Sequence, residues 1–164
     1  DSVFCIMDFL SACHGIIVLI DPYDEATVDK QQYFELLQDM LWVLQGYFPE
    51  EQIHVPQHIS LVFTKIDQGH YTNWRDNPAK IARELYGERI DERLNTFIHP
   101  DRRLWEAISV KEIPPEKPLP AGYEFDPNRP PYNLTEMFFS LMKRMVENPP
   151  DLSGRTPPDD IARD

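Results

Sequence analysis

A lysine and an aspartate, one residue apart, follow a run of apolar and β-branched residues in the stretch ISLVFTKIDQG (59–69). The two oxygens of the Asp67 carboxylate can accept hydrogen bonds from two adjacent N–H donors. Guanine offers such a pair at N1 and N2, whereas adenine does not. The methylene stem of Lys65 can cover a flat base while its ammonium stays hydrated. In an extended turn, Lys65 and Asp67 would lie on one side and Ile66 would point into the core. The two polar residues would then form a pair that recognises guanine. The alternative is a polar turn without a ligand.

Three segments have the composition of β-strands, at 14–21 (HGIIVLID), 58–66 (HISLVFTKI) and 104–110 (LWEAISV). The first is apolar on both faces, which is typical of a strand inside a parallel sheet. Helical periodicity alternates with the strands, so the sequence predicts a three-layer α/β fold with a mainly parallel sheet and flanking helices. Such sheets bind ligands at the carboxyl ends of their strands. We therefore expect the polar residues after the three strands to share one rim.

Helical periodicity appears in four stretches, at 1–13, 26–48, 76–98 and 134–148. Gly87 interrupts the third stretch, and Asn133 is placed to cap the fourth. The expected buried face of the second stretch consists of Tyr33, Leu36, Leu37, Met40, Val43 and Leu44. The expected buried face of the fourth stretch consists of Leu134, Met137, Phe138, Leu141 and Met145.

The domain organisation follows from where these patterns stop. Residues 1–147 are expected to form one α/β domain, and 148–164 to form a proline-rich polar tail that is disordered or extended. The segment 112–131 is also rich in proline, which removes backbone donors. We therefore expect this segment to be irregular and exposed.

Charge and composition exclude several classes of partner. The chain of 164 residues carries a formal net charge of −12, which argues against contact with nucleic acid or an anionic membrane surface. No apolar run approaches the roughly 18 residues of a membrane span, and the first residues lack the basic segment of a signal peptide. Cys5 and Cys13 lie among apolar residues, so we expect buried, reduced thiols in a cytoplasmic protein, with a disulfide between them as the less favoured alternative.

Other groups of polar residues give weaker signals. His54 and His58 are four residues apart, but Pro56 between them prevents a shared helix face, so we expect no metal site there. Ser109 lacks the glycines that flank the nucleophile of α/β-hydrolases, and we assign no catalytic residue. An acidic cluster after the first strand is expected to cap the next helix, with cation binding as the alternative; its members are Asp21, Asp24 and Glu25.

Four stretches, in this order along the chain, resemble Ras-like GTPases. HGIIVLIDPYD resembles the strand after the third guanine-nucleotide motif of that family. FTKID (63–67) resembles the fourth motif, N/T-K-x-D, and AISVKE (107–112) resembles the S-A-K loop, with Val110 in place of the usual alanine. PPYNLTEMFFSLMKRM resembles the closing helix. The resemblance covers residues 1–147, with an insertion, HYTNWRDNPAKIARELYG, after the fourth motif.

The resemblance implies a partial P-loop NTPase (Ras-like) architecture that binds GTP or GDP. In that family the aspartate of the fourth motif reads guanine and the lysine covers the base. Backbone N–H groups of the S-A-K loop meet the guanine oxygen. Carried over to this sequence, the implied nucleotide-binding residues are Thr64, Lys65, Asp67, Ser109, Val110 and Lys111.

Two motifs of the family are missing before the first strand. None of the six glycines belongs to a P-loop, G-x-x-x-x-G-K-[S/T], and no D-x-x-G precedes residue 14. Those elements hold the phosphates and magnesium. We therefore expect the carboxyl-terminal half of a longer GTPase domain, a molecular switch with a protein partner. Such a chain would bind Mg²⁺ and hydrolyse GTP only through a P-loop half upstream. The alternative is a degenerate pseudo-GTPase that scaffolds proteins without nucleotide.

Overall fold

The computed structural model describes residues 2–23, 30–67, 70–111 and 131–156 of the chain. The helices and strands of these ranges are, in chain order, α1 (Ser2–Ala12), β1 (Gly15–Ile20), α2 (Lys30–Gln45), β2 (His58–Phe63), α3 (Pro78–Tyr86), α4 (Ile90–Leu94), β3 (Arg103–Ala107) and α5 (Leu134–Glu147). Two short 3₁₀ turns, His70–Trp74 and Pro100–Arg102, precede α3 and β3.

The three strands form one parallel sheet in the order β1-β2-β3. Gly15 pairs with His58 at one end of the sheet, and Ile59 pairs with Arg103. Every residue of β2 is buried, as expected of a central parallel strand that is covered on both faces. The predicted α/β class and the parallel arrangement of the three strands are confirmed, and their carboxyl ends lie on one edge of the sheet.

The buried face of α2 differs in part from the predicted one. Phe34, Leu37, Leu41 and Leu44 are buried in the main core. Leu36, which we expected in the core, is 56% exposed. Apolar residues occupy so many positions of this helix that two adjacent faces have similar periodicity. Packing selects the face that contains Phe34 and Leu41, so the prediction for Leu36 is wrong.

The helical stretch at 76–98 is divided at Gly87, where the sequence indicated an interruption. Gly87 has a φ of 95°, a left-handed conformation that residues with a Cβ atom avoid. Pro78 begins α3, a position where its fixed φ suits the helix and its missing N–H costs no hydrogen bond. Asn77, the residue before it, makes no side-chain capping bond.

The packing of α5 likewise follows only part of the predicted stripe. Met137 and Leu141 are buried against the sheet, whereas Phe138 is about half exposed. Asn133 precedes the helix with a φ of 54° and makes no side-chain capping bond. Its amide donates instead to the carbonyl oxygen of Ala107 at 3.1 Å. The predicted capping role of Asn133 is therefore wrong, because its left-handed backbone differs from the extended conformation in which a capping side chain accepts from the first N–H groups of a helix.

Both cysteines are free thiols, but they are less buried than we expected. Cys5 is exposed on α1 and Cys13 is half-buried just after it. The exposed side chains of Ile6 and Phe9 lie on the same helix. Most residues of the helix are apolar, more than the side that packs on the core can bury, so apolar surroundings in the sequence did not imply burial for Cys5.

The first half of the tail is packed on the body of the protein. Arg155 donates from Nε to the Ser11 hydroxyl at 2.6 Å and forms an ion pair with Asp8. The backbone N–H of Thr156 donates to the Tyr47 carbonyl at 2.8 Å. These contacts fix the tail as far as Thr156 against the ends of α1 and α2.

Two segments named in the sequence analysis lie outside the described residues. They are 112–130, where an irregular and exposed segment stays a prediction, and 157–164 of the tail. Among the helices that the structure describes, none is both long and apolar enough to cross a membrane.

We expect the His58 imidazole to make folding stability depend on pH near neutrality. Nε2 of this buried side chain is 2.7 Å from the Asn148 carbonyl oxygen, which fits a neutral ring that donates from Nε2. Its Nδ1 is buried without a hydrogen-bond partner. Burial lowers the pKa of His58, and the nearby Arg102 and Arg144 add to this. A proton on Nδ1 would therefore be disfavoured in the folded protein.

Because the folded pKa of His58 is depressed, the unfolded chain binds the proton first as pH falls. The free energy of unfolding should then decrease below about pH 6.5, by at most about 1.4 kcal/mol per pH unit for this one proton. Urea unfolding between pH 7.5 and 5.5 should show a shallower decrease for His58→Gln than for the unmodified protein. Equal slopes would show that His58 does not contribute, since the other histidines are common to both proteins.

Candidate functional site

The polar residues after the three strands lie on one rim, as the parallel sheet requires. Backbone pairing continues past the strand ends. Thr64 N donates to the Ile20 carbonyl at 2.8 Å, and Ile66 N donates to the Ile108 carbonyl at 3.2 Å. The loop after β2 is thus bonded to the end of β1 on one side and to the residue after β3 on the other. The residues that follow Ile20 and Ile108 are thereby brought next to it.

A buried carboxylate and a buried hydroxyl form the centre of this rim. Asp67 and Ser109 are 8% and 1% exposed, and the Ser109 hydroxyl donates to Oδ1 of Asp67 at 2.5 Å. The backbone N–H of Lys111 donates to the Ser109 oxygen at 2.9 Å. Two loops that are 42 residues apart in the chain are therefore joined through side chains, and the Asp67 carboxylate is fixed in direction.

Lys65 adopts a conformation that the sequence did not indicate. Its φ of 57° is left-handed, so the expectation of an extended turn is wrong at this position. Its ammonium forms an ion pair with the Asp21 carboxylate at the end of β1. Ile66, the next residue, is fully buried, as we expected. The left-handed residue turns the chain so that Lys65 faces the rim and Ile66 enters the core.

Asp21 is held as a carboxylate at the end of β1. Partial burial raises its pKa, but the hydrogen bond from Lys65 and the Tyr23 backbone N–H outweigh this, and the pKa of Asp21 is lowered. The Tyr23 N–H donates to Oδ1 of Asp21 at 3.0 Å. Asp21 thus stabilises its own turn and Lys65; its two partners in the predicted acidic cluster, Asp24 and Glu25, lie outside the described residues.

The remaining predicted residues have different surroundings. The Thr64 hydroxyl donates to the Ile20 carbonyl at 3.2 Å, so it joins β1 and β2 below the rim. Val110 is 80% exposed between Ser109 and Lys111. The structure therefore brings all six predicted residues to the carboxyl end of the sheet, five of them on the rim and Thr64 just below it. Asp67 and Ser109 form its interior, and Val110 lies on its outer surface.

Aromatic residues that the sequence analysis did not single out line one side of this rim. The rings of Tyr23 and Tyr71 are 5.3 Å apart, and those of Tyr71 and Trp74 are 5.8 Å apart. Burial, together with the charges of Tyr71, Asp67 and Asp21, raises the pKa of Tyr23 to about 12. The only sequence signal for this wall was the density of aromatic residues in HYTNW directly after the fourth motif.

The two histidines considered as metal ligands make separate contacts. Nε2 of His54 is 3.0 Å from the Asn95 carbonyl, while His58 contacts Asn148. Over the ranges that the structure describes, no three His, Cys, Asp or Glu side chains are grouped to hold a metal. The rim offers an oriented carboxylate and a partly exposed lysine whose ammonium is paired with Asp21, next to the loop at 109–111.

Comparisons of the chain with protein-family models, with curated proteins and with solved structures found no match.

Proposed function

We propose that this chain supplies the guanine-recognition half of a GTPase-like molecular switch. The observation that carries the proposal is the buried pair of Asp67 and Ser109 at the carboxyl ends of adjacent parallel strands. Ligands of parallel sheets bind at this edge. A carboxylate held here can accept from N1–H and N2–H of guanine, which adenine cannot offer.

The contact with Ser109 prepares Asp67 for this role. A hydroxyl donor uses only part of the acceptor capacity of a carboxylate, which has about four lone-pair sites. The contact keeps the side chain in one orientation before the base arrives, so less freedom is lost on binding. Low exposure also strengthens hydrogen bonds to the carboxylate relative to those in water.

Lys65 and the loop at 109–111 would complete the contact with the base. The Lys65 side chain is partly exposed and its ammonium is held by Asp21, which leaves the methylene stem to cover the face of a base. The N–H groups of Ser109 and Lys111 already donate to the Tyr132 carbonyl and the Ser109 hydroxyl, which leaves the Val110 N–H to meet the guanine oxygen. Val110 is 80% exposed.

The phosphates and Mg²⁺ need a further element, and we propose that it adds to the open edge of β1. Alternate residues of β1 form hydrogen bonds with β2. The backbone N–H and C=O groups of Ile17 and Leu19 therefore point away from β2, toward the open edge. The Leu19 carbonyl accepts from the Tyr33 hydroxyl at 2.9 Å, and the described part of the chain adds no strand beyond β1. An open parallel edge is suited to pairing with another strand.

Exposed apolar side chains on α5 and α1 support this assignment. α5 packs on β1 and exposes Phe139, Met142 and Val146, and α1 exposes Ile6 and Phe9. Parallel sheets are normally covered on both faces, and groups of exposed apolar residues mark interaction sites. A strand that carries a phosphate-binding loop would pair with β1 and bury these residues. GTP hydrolysis is proposed only for an assembly that includes such an element.

The same apolar surfaces favour a second candidate, a pseudo-GTPase scaffold that binds a protein partner without nucleotide. Binding of GDP and ADP to the full-length protein, measured by calorimetry with Mg²⁺ present, distinguishes the two functions. We expect GDP to bind at least about 100-fold more tightly than ADP, since Asp67 would face an acceptor at adenine N1 and lose its charge-assisted bonds. Failure of both nucleotides to bind would leave the scaffold as the better explanation.

A further inference from the structure

We propose that the segment 70–76 and Tyr132 form a clamp that fixes the two base-reading loops relative to each other. This inference rests on the proposed function, because it assigns positioning residues to the same site. The segment begins the insertion after the fourth motif, and none of its residues belongs to the matched motifs. The clamp has one attachment at each loop.

The first attachment is to the loop that carries Asp67. The Thr72 hydroxyl donates to the Ile66 carbonyl at 2.7 Å, and both residues are buried. Arg75, also buried, donates from Nη1 to the Thr72 carbonyl at 3.0 Å. The 3₁₀ turn is therefore bonded to the backbone one residue before Asp67, so a shift of the turn would displace the carboxylate.

The second attachment is to the loop of Ser109. The Ser109 N–H donates to the Tyr132 carbonyl, and the Tyr132 N–H donates to the Lys111 carbonyl, both at 3.2 Å. This antiparallel bridge encloses Val110. The Tyr132 hydroxyl in turn donates to Oδ1 of Asp76 at 2.9 Å. Through this bond, the loop of Ser109 is connected to the segment that already holds the loop of Asp67.

Asn133 holds Tyr132 from the other side of the chain. Its left-handed backbone is a conformation that asparagine tolerates better than most residues. Its amide donates to the Ala107 carbonyl and to the Glu106 carboxylate, both at 3.1 Å. Tyr132 is thus fixed between the end of β3 and Asp76. The hydroxyl bond fixes the Tyr132 side chain at its Asp76 end.

The substitution Tyr132→Phe removes the bond to Asp76 and keeps the ring and the backbone bridge. In the full-length protein we expect about a 3- to 10-fold loss of GDP affinity, the size expected for one hydrogen bond, seen as faster dissociation. Binding of IDP, which lacks the N2 amine, should fall by the same factor, because the preference for GDP over IDP depends on Asp67, which the substitution leaves in place. Asp76→Asn keeps an Oδ1 acceptor and should stay within about twofold of the unmodified protein.

The matched control is Tyr47→Phe, which removes a buried hydroxyl that lacks a hydrogen-bond partner. Tyr47 follows α2 and is bonded to Thr156 of the tail, away from the rim. GDP affinity should not change in this variant. An equal loss in Tyr47→Phe and Tyr132→Phe would overturn the clamp, since any lost tyrosine hydroxyl would then have the same effect.

Amide hydrogen exchange in the nucleotide-free protein tests the clamp without relying on the proposed function. Exchange at Ser109, Val110 and Lys111 should be faster in Tyr132→Phe than in the unmodified protein and unchanged in Tyr47→Phe. Unchanged exchange in Tyr132→Phe overturns the clamp, whatever the protein binds. If the unmodified protein binds no GDP while exchange does increase, the proposed function fails and the tether between the loops stands.

Discussion

Replacing Asp67 by asparagine in the full-length protein is expected to weaken GDP and GTP binding by about 10- to 100-fold. The amide presents one acceptor and one donor to N1–H and N2–H of guanine. One contact is lost and a donor then faces a donor. Xanthine carries a carbonyl in place of the N2 amine, so the variant should bind xanthine nucleotides better than the unmodified protein does. The amide oxygen can still accept from Ser109, which keeps the loop folded.

Asp101→Asn is the matched control, because the Asp101 side chain is 82% exposed and lies before β3, away from the rim. Calorimetry of both variants with GDP and xanthosine diphosphate, together with their melting temperatures, measures the effect. Equal affinity of Asp67→Asn and the unmodified protein for GDP would show that TKID is a polar turn. A fall in melting temperature beyond that of Asp101→Asn would instead indicate a structural role.

Asp91→Ala is expected to lower the free energy of unfolding by about 2–4 kcal/mol. Asp91 accepts from Arg103 Nη2 and from Trp105 Nε1, both at 3.0 Å, and from Arg83 at 3.3 Å. The Arg103 side chain is only 9% exposed. Burial lowers the pKa of Arg103, while the charge of Asp91 opposes this. Without the Asp91 side chain, a nearly buried guanidinium would lose its ionic partner, and Arg103 would keep only its bonds to the Asp91 carbonyl and the Asn95 side chain.

Glu92→Ala provides the comparison within the same helix. Glu92 pairs with Arg89 at 2.7 Å, and their side chains are 65% and 84% exposed, so the pair contributes at most about 1 kcal/mol. Urea unfolding of both variants at neutral pH measures the two changes. A loss below about 1 kcal/mol for Asp91→Ala would contradict the importance of its buried partners.

The sequence alone determined the order of elements and the parallel sheet. A strand buried on both faces, such as β2, must be apolar at successive positions, so it is visible in HISLVF without knowledge of its neighbours. The break at Gly87 was equally visible, because few residues other than glycine adopt its φ. Parallel strands then place the residues after them on one rim, which was enough to expect Asp67 near Ser109.

The tertiary structure decided the features that depend on distant parts of the chain. The buried face of α2 was ambiguous by periodicity, and packing chose Phe34 over Leu36. The tertiary structure also decided the left-handed conformation of Lys65 and its ion pair with Asp21. These two residues are 44 positions apart in the chain. Tyr132 and Asp76, 56 residues apart, carry no local pattern at all. Hydrogen bonds between such residues form only once the sheet has brought their loops together. Neither spacing along the sequence nor composition determines the distance between those side chains in space.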